Sequence, residues 1–104
     1  MRVVVTRDSV AAGDDADAPH RVSFEPDCAA RIGEVFKHLE QIGYLPWVDG
    51  RGHRWYASAG SQTVAEFVAN RRQPEFTKLL ASPLTEFAVH GELRIHFRYS
   101  SARY

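Results

Sequence analysis

The chain has 104 residues, of which 44% are hydrophobic and 25% are charged, and its formal net charge is zero. This length and composition favour one globular domain with a buried core and argue against extended disorder. The single cysteine excludes an internal disulfide, and no stretch has the apolar length of a signal-peptide core or a membrane span, so we expect a cytoplasmic protein.

Two short runs rich in β-branched residues predict the first two strands. Residues 2–10 read RVVVTRDSV and residues 20–25 read HRVSFE, with Val22 and Phe24 on one face. The intervening AAGDDADAP consists of small and Asx residues with one glycine and one proline, which favour a turn over a β-ladder. We therefore expect a hairpin with a long, exposed, acidic loop.

The next segment predicts a long amphipathic helix. Asp27 has the chemistry of an N-cap, and Gly43 supplies the left-handed position that often ends a helix. Between them, apolar residues recur at the three- and four-residue spacing of one helix face: Ile32, Val35, Phe36, Leu39 and Ile42. We expect a helix over residues 28–42.

The residues after this helix predict a second hairpin. YLPWV at residues 44–48 and HRWYAS at residues 53–58 flank DGRG, whose Asp-Gly pair is a strong turn signal. Trp55 lies in the middle of a predicted strand and is expected to be buried, whereas Trp47 suits either the core or the surface.

The rest of the chain predicts short helices and a last hairpin. Residues 63–81 have helical spacing, which Pro74 divides into two segments. LTEFAV and ELRIHFRYS then flank a turn at His90 and Gly91, and the alternation in the second run predicts one buried and one wet face. Residues 101–104 are expected to fray.

The predicted order is strand, strand, long helix, strand, strand, short helices, strand, strand. A mostly antiparallel sheet packed on one long helix, with additional short helices, buries these apolar faces together. We therefore predict a single α+β domain over residues 1–104. The opening order is similar to that of ubiquitin-like β-grasp domains, an analogy that carries no function by itself.

The pattern of reactive residues is not typical of an enzyme or of a metal site. Cys28 lacks a surrounding motif and also suits a small packed side chain. The five histidines are scattered without metal-ligand spacing, and the DDAD cluster lacks the glutamate that closes a calcium loop. Apart from DGRG, the glycines fall singly rather than in a phosphate-binding loop. We expect no catalysis, no metal and no cofactor.

The basic residues of the last predicted strand are the main argument for nucleic-acid binding. Arg94, His96 and Arg98 share its wet face, and further arginines lie elsewhere in the second half. The sequence pI is about 7.0, whereas dedicated nucleic-acid binders are usually strongly basic. A solvated strand face therefore accounts better for these residues.

The two halves of the chain carry opposite charge. Residues 1–49 have nine acidic and five basic residues, a balance of −4, and residues 50–104 have four acidic and eight basic residues, a balance of +4. Four aspartates lie within ten positions of the first half, with no positive charge among them: Asp8, Asp14, Asp15 and Asp17. Such a cluster favours a basic partner, although a folded chain can also pair its own halves.

Two stretches resemble small bacterial immunity proteins: TRDSVAAGDDADAPH at residues 6–20 and GYLPWVDGRGHRW at residues 43–55. Such proteins are encoded beside polymorphic or contact-dependent growth-inhibition toxins and protect the producing cell from them. The resemblance covers roughly residues 1–57. It implies a cytoplasmic binder of one cognate toxin, very often a nuclease acting on tRNA or DNA, which is blocked by tight protein–protein contact.

We therefore predict an immunity protein, monomeric alone, that forms a heterodimer with the C-terminal domain of a basic toxin nuclease. It binds neither nucleic acid nor a membrane directly. The predicted partner-binding residues are Asp14, Asp15, Asp17, Trp47 and Asp49. The alternatives are a β-grasp-like protein-binding adaptor without a toxin partner, an enzyme that uses Cys28 or a histidine, and a small nucleic-acid binder.

Overall fold

The computed structural model describes residues 1–8, 21–27, 29–45 and 52–100. The strands in this part of the chain are β1 (Arg2–Arg7), β2 (Arg21–Phe24), β3 (Arg54–Ala59), β4 (Gln62–Val68) and β5 (Glu92–Ser100). The helix α1 is Ile32–Gln41, and two 3₁₀ helices span Lys78–Ala81 and Leu84–Glu86. None of these helices is long and apolar enough to cross a membrane.

The five strands form one mixed sheet in the order β2-β1-β5-β3-β4. β1 and β5 run parallel at its centre, and the other three neighbouring pairs are antiparallel. The predicted α+β class is confirmed, and so is the antiparallel pairing of the first two runs, in which Val3 lies opposite Phe24. The predicted acidic loop of this hairpin falls on residues 9–20, which lie outside the described residues.

Helix α1 covers one face of the sheet and closes an aromatic core. Phe36 of α1 meets Phe67 of β4 and Phe97 of β5 edge to face, with ring centroids 5.4 and 5.9 Å apart. Trp55 is buried as predicted and packs against Tyr99, with ring centroids 5.1 Å apart. Since edge-to-face pairs add about 0.5–1.5 kcal/mol to the area that they bury, these rings hold the helix on the sheet.

The opposite face of the sheet is open and polar. The alternation predicted for β5 is confirmed, because its buried residues include Leu93, Ile95 and Phe97 and its exposed residues include Arg94, His96 and Arg98. The helix therefore packs on one side of the sheet, and the arginines of β5 face away from it.

The helix is shorter than predicted. It spans Ile32–Gln41 rather than residues 28–42, and Asp27 is not its N-cap. Asp27 instead closes a tight turn, in which its carboxylate accepts from the Ala29 N–H at 3.0 Å and its carbonyl accepts from the Ala30 N–H at 2.9 Å. This Asx turn satisfies the same donors that a helix N-cap would have satisfied.

Pairing with a distant segment explains why the helix starts late. The Ile32 N–H donates to the Ser82 carbonyl at 3.0 Å, and the Leu84 N–H donates to the Ala30 carbonyl at 3.4 Å. Leu84 is fully buried, so this segment is held in place by the core. The backbone before Ile32 therefore has tertiary partners instead of another helical turn.

The helix ends at Gln41, one residue before the predicted end, and Gly43 supplies the left-handed position as predicted. Gly43 has a φ of 63°, which is the left-handed region. Its N–H donates to the Glu40 carbonyl at 3.1 Å, and the Tyr44 N–H donates to the Leu39 carbonyl at 3.0 Å. These two bonds form a Schellman motif, and they direct Tyr44 into the core, where it is 1% exposed.

The prediction of helical structure over residues 63–81 is wrong for its first part. Those residues belong to β4, whose pairing with β3 contains a β-bulge. The extra residue of the bulge leaves both Val64 and Phe67 buried although they are three positions apart. Apolar residues three positions apart are also typical of one face of a helix, which explains the wrong prediction. Within the predicted range, the helical residues are Lys78–Ala81.

The prediction that residues 44–48 pair with β3 is also wrong. β3 has β4 on one side and β5 on the other, so neither of its edges is free for a further strand. A tight turn at Gly60 and Ser61 joins β3 directly to β4. Residues 46–51, which include the predicted Asp-Gly turn, lie outside the described residues.

In the last predicted hairpin, the turn and the second strand are confirmed. His90 and Gly91 have φ values of 53° and 76°, and Val89 and Glu92 exchange backbone hydrogen bonds of 2.8 and 3.1 Å around them. The run before the turn is not a strand, because it forms the 3₁₀ helix Leu84–Glu86.

Replacing Phe97 by Ala is expected to lower the free energy of unfolding by about 3–5 kcal/mol, because three aromatic side chains lose their common neighbour. Phe76→Ala is the matched control, since Phe76 is 89% exposed and its loss should change stability by less than about 0.5 kcal/mol. Urea denaturation of both variants measures the difference. Equal losses would show that the aromatic cluster does not hold the fold together.

Candidate functional site

The parallel pairing of β1 and β5 puts their carboxyl-terminal ends side by side. Arg21, the first residue of β2, pairs with Thr6 near the end of β1. Ser100, the last residue of β5, pairs with Arg54, the first residue of β3. We call this region the Asp8 end of the sheet, after the residue that follows β1. The Gly60–Ser61 and His90–Gly91 turns mark the opposite end.

Tyr44 and His53 also lie at the Asp8 end. The ring of Tyr44 is 5.8 Å from that of Phe97, and the guanidinium carbon of Arg7 is 6.0 Å from the Tyr44 ring centroid. His53 stacks on Tyr99, with ring centroids 5.8 Å apart. Tyr44, which follows α1, and His53, which precedes β3, therefore both lie at this end.

The predicted partner-binding residues themselves lie outside the described residues: Asp14, Asp15, Asp17, Trp47 and Asp49. Cys28 lies outside them as well. The described residues that flank the first three aspartates are residues 8 and 21, and those that flank Trp47 and Asp49 are residues 45 and 52. Both pairs of flanking residues belong to the Asp8 end.

Asp8, the first aspartate of the acidic cluster, is bound by the second half of its own chain. Its Oδ1 lies 2.9 Å from His96 Nε2, and its Oδ2 accepts from the Tyr99 N–H at 3.0 Å. Its backbone N–H donates to the Phe97 carbonyl at 2.9 Å. The charge asymmetry of the sequence is thus used at least once inside the fold, and Asp8 does not carry an unshared charge.

The other nitrogen of His96 is also occupied, because Nδ1 lies 2.8 Å from Thr6 Oγ1. In the neutral ring, Nε2 carries the proton toward Asp8, since a carboxylate only accepts, and Nδ1 accepts from the Thr6 hydroxyl. Hydroxyl, imidazole and carboxylate follow each other as in a hydrolase triad, but with the two ring nitrogens exchanged. The His96 side chain is 50% exposed, so this chain of contacts is a surface link between β1 and β5.

Arg7 and Tyr44 form the interior of the Asp8 end. Arg7 is 4% exposed, and its Nη1 donates to the Asp8 carbonyl at 3.1 Å. Burial raises the pKa of Tyr44 far above its usual value, and the positive charge of Arg7 opposes part of that rise. The Tyr44 hydroxyl therefore stays neutral beside a buried cation, which interacts favourably with the face of the ring.

Further ion pairs lie on the open face of the sheet. Glu92 accepts from Arg94 Nε at 2.7 Å, and Glu66 pairs with Arg54. Exposed pairs of this kind contribute about 0–1 kcal/mol, so they shape the charge of the surface more than the stability of the fold. Among the residues that the structure describes, no group of three or more His, Cys, Asp or Glu is placed to hold a metal ion.

Sequence reasoning missed the buried members of this site. One signal was present for Arg7, because it follows Val3 and Val5 at every second position and therefore shares the buried face of β1. His96 was predicted to be exposed, but its contacts depend on the parallel register with β1, which no local pattern encodes.

No family model, curated protein or solved structure matches this chain.

Asp8→Ala is expected to lower the free energy of unfolding by about 1–2 kcal/mol, because the Tyr99 N–H and His96 lose a charged acceptor. Asp8→Asn keeps an acceptor oxygen and should lose less. Glu25→Ala, at an exposed acid away from this end, is the control and should change stability by less than about 0.5 kcal/mol. Urea denaturation that finds Asp8→Ala as stable as the parent chain would contradict the link between β1 and β5.

His53 provides a second test of this end. It is 3% exposed, and neither ring nitrogen has a hydrogen-bond partner in the described part of the chain. Since a buried polar group without a partner costs about 1–3 kcal/mol, His53→Phe should leave the free energy of unfolding unchanged or raise it. Thermal melting measures the effect. A marked loss of stability would show that His53 makes a polar interaction that phenylalanine cannot replace.

Proposed function

We propose that this chain is an immunity protein that binds a toxin nuclease in the cytoplasm of the producing cell and blocks it by protein–protein contact. The observation that carries the proposal is that the flanking residues of both predicted contact segments converge on the Asp8 end. The chain acts by binding, as one half of a heterodimer, and performs no catalysis. The proposed contact residues are Asp14, Asp15, Asp17, Trp47 and Asp49.

The dimensions of the chain favour a single interface for these residues. Twelve residues separate Asp8 from Arg21, and six separate Leu45 from Gly52. Half of a twelve-residue segment spans about 20 Å when fully extended. A standard interface buries about 800 Å² on each partner, which is a patch roughly 30 Å across. Both sets of proposed contact residues therefore fit within one interface of ordinary size.

The negative charge of the proposed contact residues favours a partner with a basic surface. Nucleases hold phosphate backbones with basic surfaces, so aspartates placed where the nucleic acid would lie compete for the same lysines and arginines. Close charge pairs across an interface couple by about 1.5–7 kcal/mol and raise association rates. Asp8 is excluded from the proposed contact set, because His96 and Tyr99 already hold its carboxylate.

A β-grasp-like protein-binding adaptor is the second candidate. The observation that favours it is the topology, in which an opening hairpin and a helix precede the rest of a mixed five-strand sheet with β1 and β5 parallel at its centre. Such a fold binds proteins of many kinds, and topology alone does not select the partner. Co-expression with the product of the neighbouring gene separates the two candidates, since only an immunity protein is expected to rescue growth from it.

Changing Asp14, Asp15 and Asp17 together to Asn is expected to weaken binding of the neighbouring gene product's C-terminal domain by at least tenfold. The salt dependence of binding should also decrease, because fewer charge pairs are screened. Calorimetric titration at two salt concentrations measures both effects. The matched control changes Glu25, Glu34 and Glu86 to Gln, which removes the same charge from exposed positions away from the Asp8 end.

Each outcome of this experiment has a clear meaning. A parent chain that neither binds the domain nor rescues growth contradicts the immunity function. Unchanged affinity in the aspartate variant removes the acidic segment from the interface. Equal weakening in the aspartate and glutamate variants shows that total charge, rather than the Asp8 end, governs binding.

A further inference from the structure

A row of polar side chains crosses four strands on the open face of the sheet. The register pairs Arg21 of β2 with Thr6 of β1, Thr6 with His96 of β5, and His96 with Ser58 of β3. Directly paired residues point to the same side of a sheet. The contact between Thr6 and His96 confirms this orientation, so all four side chains face away from the helix.

This row borders a recess of about 350 Å³. Val4 contributes apolar surface to it, and Arg94 also lines it. Val4 is 6% exposed although it does not belong to the core cluster, which places it beneath the side chains of the open face. None of the described lining residues of the recess is acidic, and two of them, Arg21 and Arg94, carry a positive charge.

Arg21 and Arg94 have free donors for a ligand. Within the described residues, no hydrogen bond or ion pair involves the side chain of Arg21. The Nε–H of Arg94 donates to the Glu92 carboxylate, and the terminal nitrogens of its guanidinium have no described partner. The pKa of Glu92 is lowered, first by the hydrogen bond from Arg94 and further by the charges of Arg94, Arg2 and Arg21.

Hydrogen bonds within the protein fix the orientation of the His96 ring in the recess without a ligand. His96 Nε2 lies 2.9 Å from Asp8 Oδ1, and His96 Nδ1 lies 2.8 Å from Thr6 Oγ1, so the ring has a defined orientation. Ser58 lies next to this ring in the register and is partly exposed. A site with donors already in position loses less conformational entropy when it binds.

We propose that this recess binds the phosphate group of a small phosphorylated ligand, with Arg21 and Arg94 as charge partners and the Ser58 hydroxyl as a further donor. Two guanidinium groups match the charge and the oxygen geometry of a phosphate dianion. A volume of about 350 Å³ is at the lower end of the range of small-molecule sites, which suits a compact ligand rather than a polymer. The site goes beyond the proposed toxin binding and does not depend on it.

Titration of the full chain with inorganic phosphate and with glucose 6-phosphate, followed by amide chemical shifts, tests this site. We expect saturable shifts at Thr6, Ser58, Arg94 and His96. Arg21→Gln and Arg94→Gln should each weaken binding at least fivefold. Arg71→Gln removes the same charge from an exposed arginine outside the recess and should leave affinity unchanged. All three arginines are exposed, so circular dichroism is expected to show folded variants.

Three results would overturn the proposal. The first is the absence of saturable shifts with either phosphate compound up to about 50 mM. The second is equal weakening by Arg71→Gln and by the two recess variants. The third is tighter binding of a short oligothymidylate than of either compound, with shifts spread over the whole open face, because that result assigns the face to single-stranded nucleic acid instead.

Discussion

The parallel pairing of β1 with β5 is the constraint on which the rest of the structure depends. It joins strands from opposite ends of the described chain through a register that runs from Arg2 and Glu92 to Arg7 and Phe97. Parallel strands require a long crossover, and here α1 and the β3–β4 hairpin lie within it. The crossover places the helix on one face of the sheet, so that face becomes the core and the other remains open and polar.

This pairing also brings the acidic and basic halves of the chain together. Asp8 leaves β1 beside the end of β5, where His96 and Tyr99 bind its carboxylate. The charge asymmetry therefore serves two purposes in our interpretation. It stabilises the junction of the two central strands, and the remaining aspartates of the cluster are proposed to meet a basic partner at the same end. Two arginines of the open face, Arg21 at this end and Arg94 farther along β5, form the proposed phosphate site.

Local features were predictable from the sequence, and tertiary ones were not. The alternation of β5 and the helix end at Gly43 depend on neighbouring residues and were predicted correctly. The start of the helix was wrong because Asp27 closes a turn and the following backbone pairs with residues 82–84. β4 was taken for a helix because a bulge changes its period. The contacts of Asp8 depend on the β1–β5 register, which only the folded chain reveals.

Hydrogen exchange of the chain, alone and in complex with the C-terminal domain of the neighbouring gene product, tests most directly whether the Asp8 end is the binding surface. We expect exchange to slow at residues 6–8, 44–45 and 97–100 and to stay unchanged at the two turns of the opposite end, residues 60–61 and 90–91. Slower exchange confined to those two turns, with no change around Asp8, would contradict the central claim.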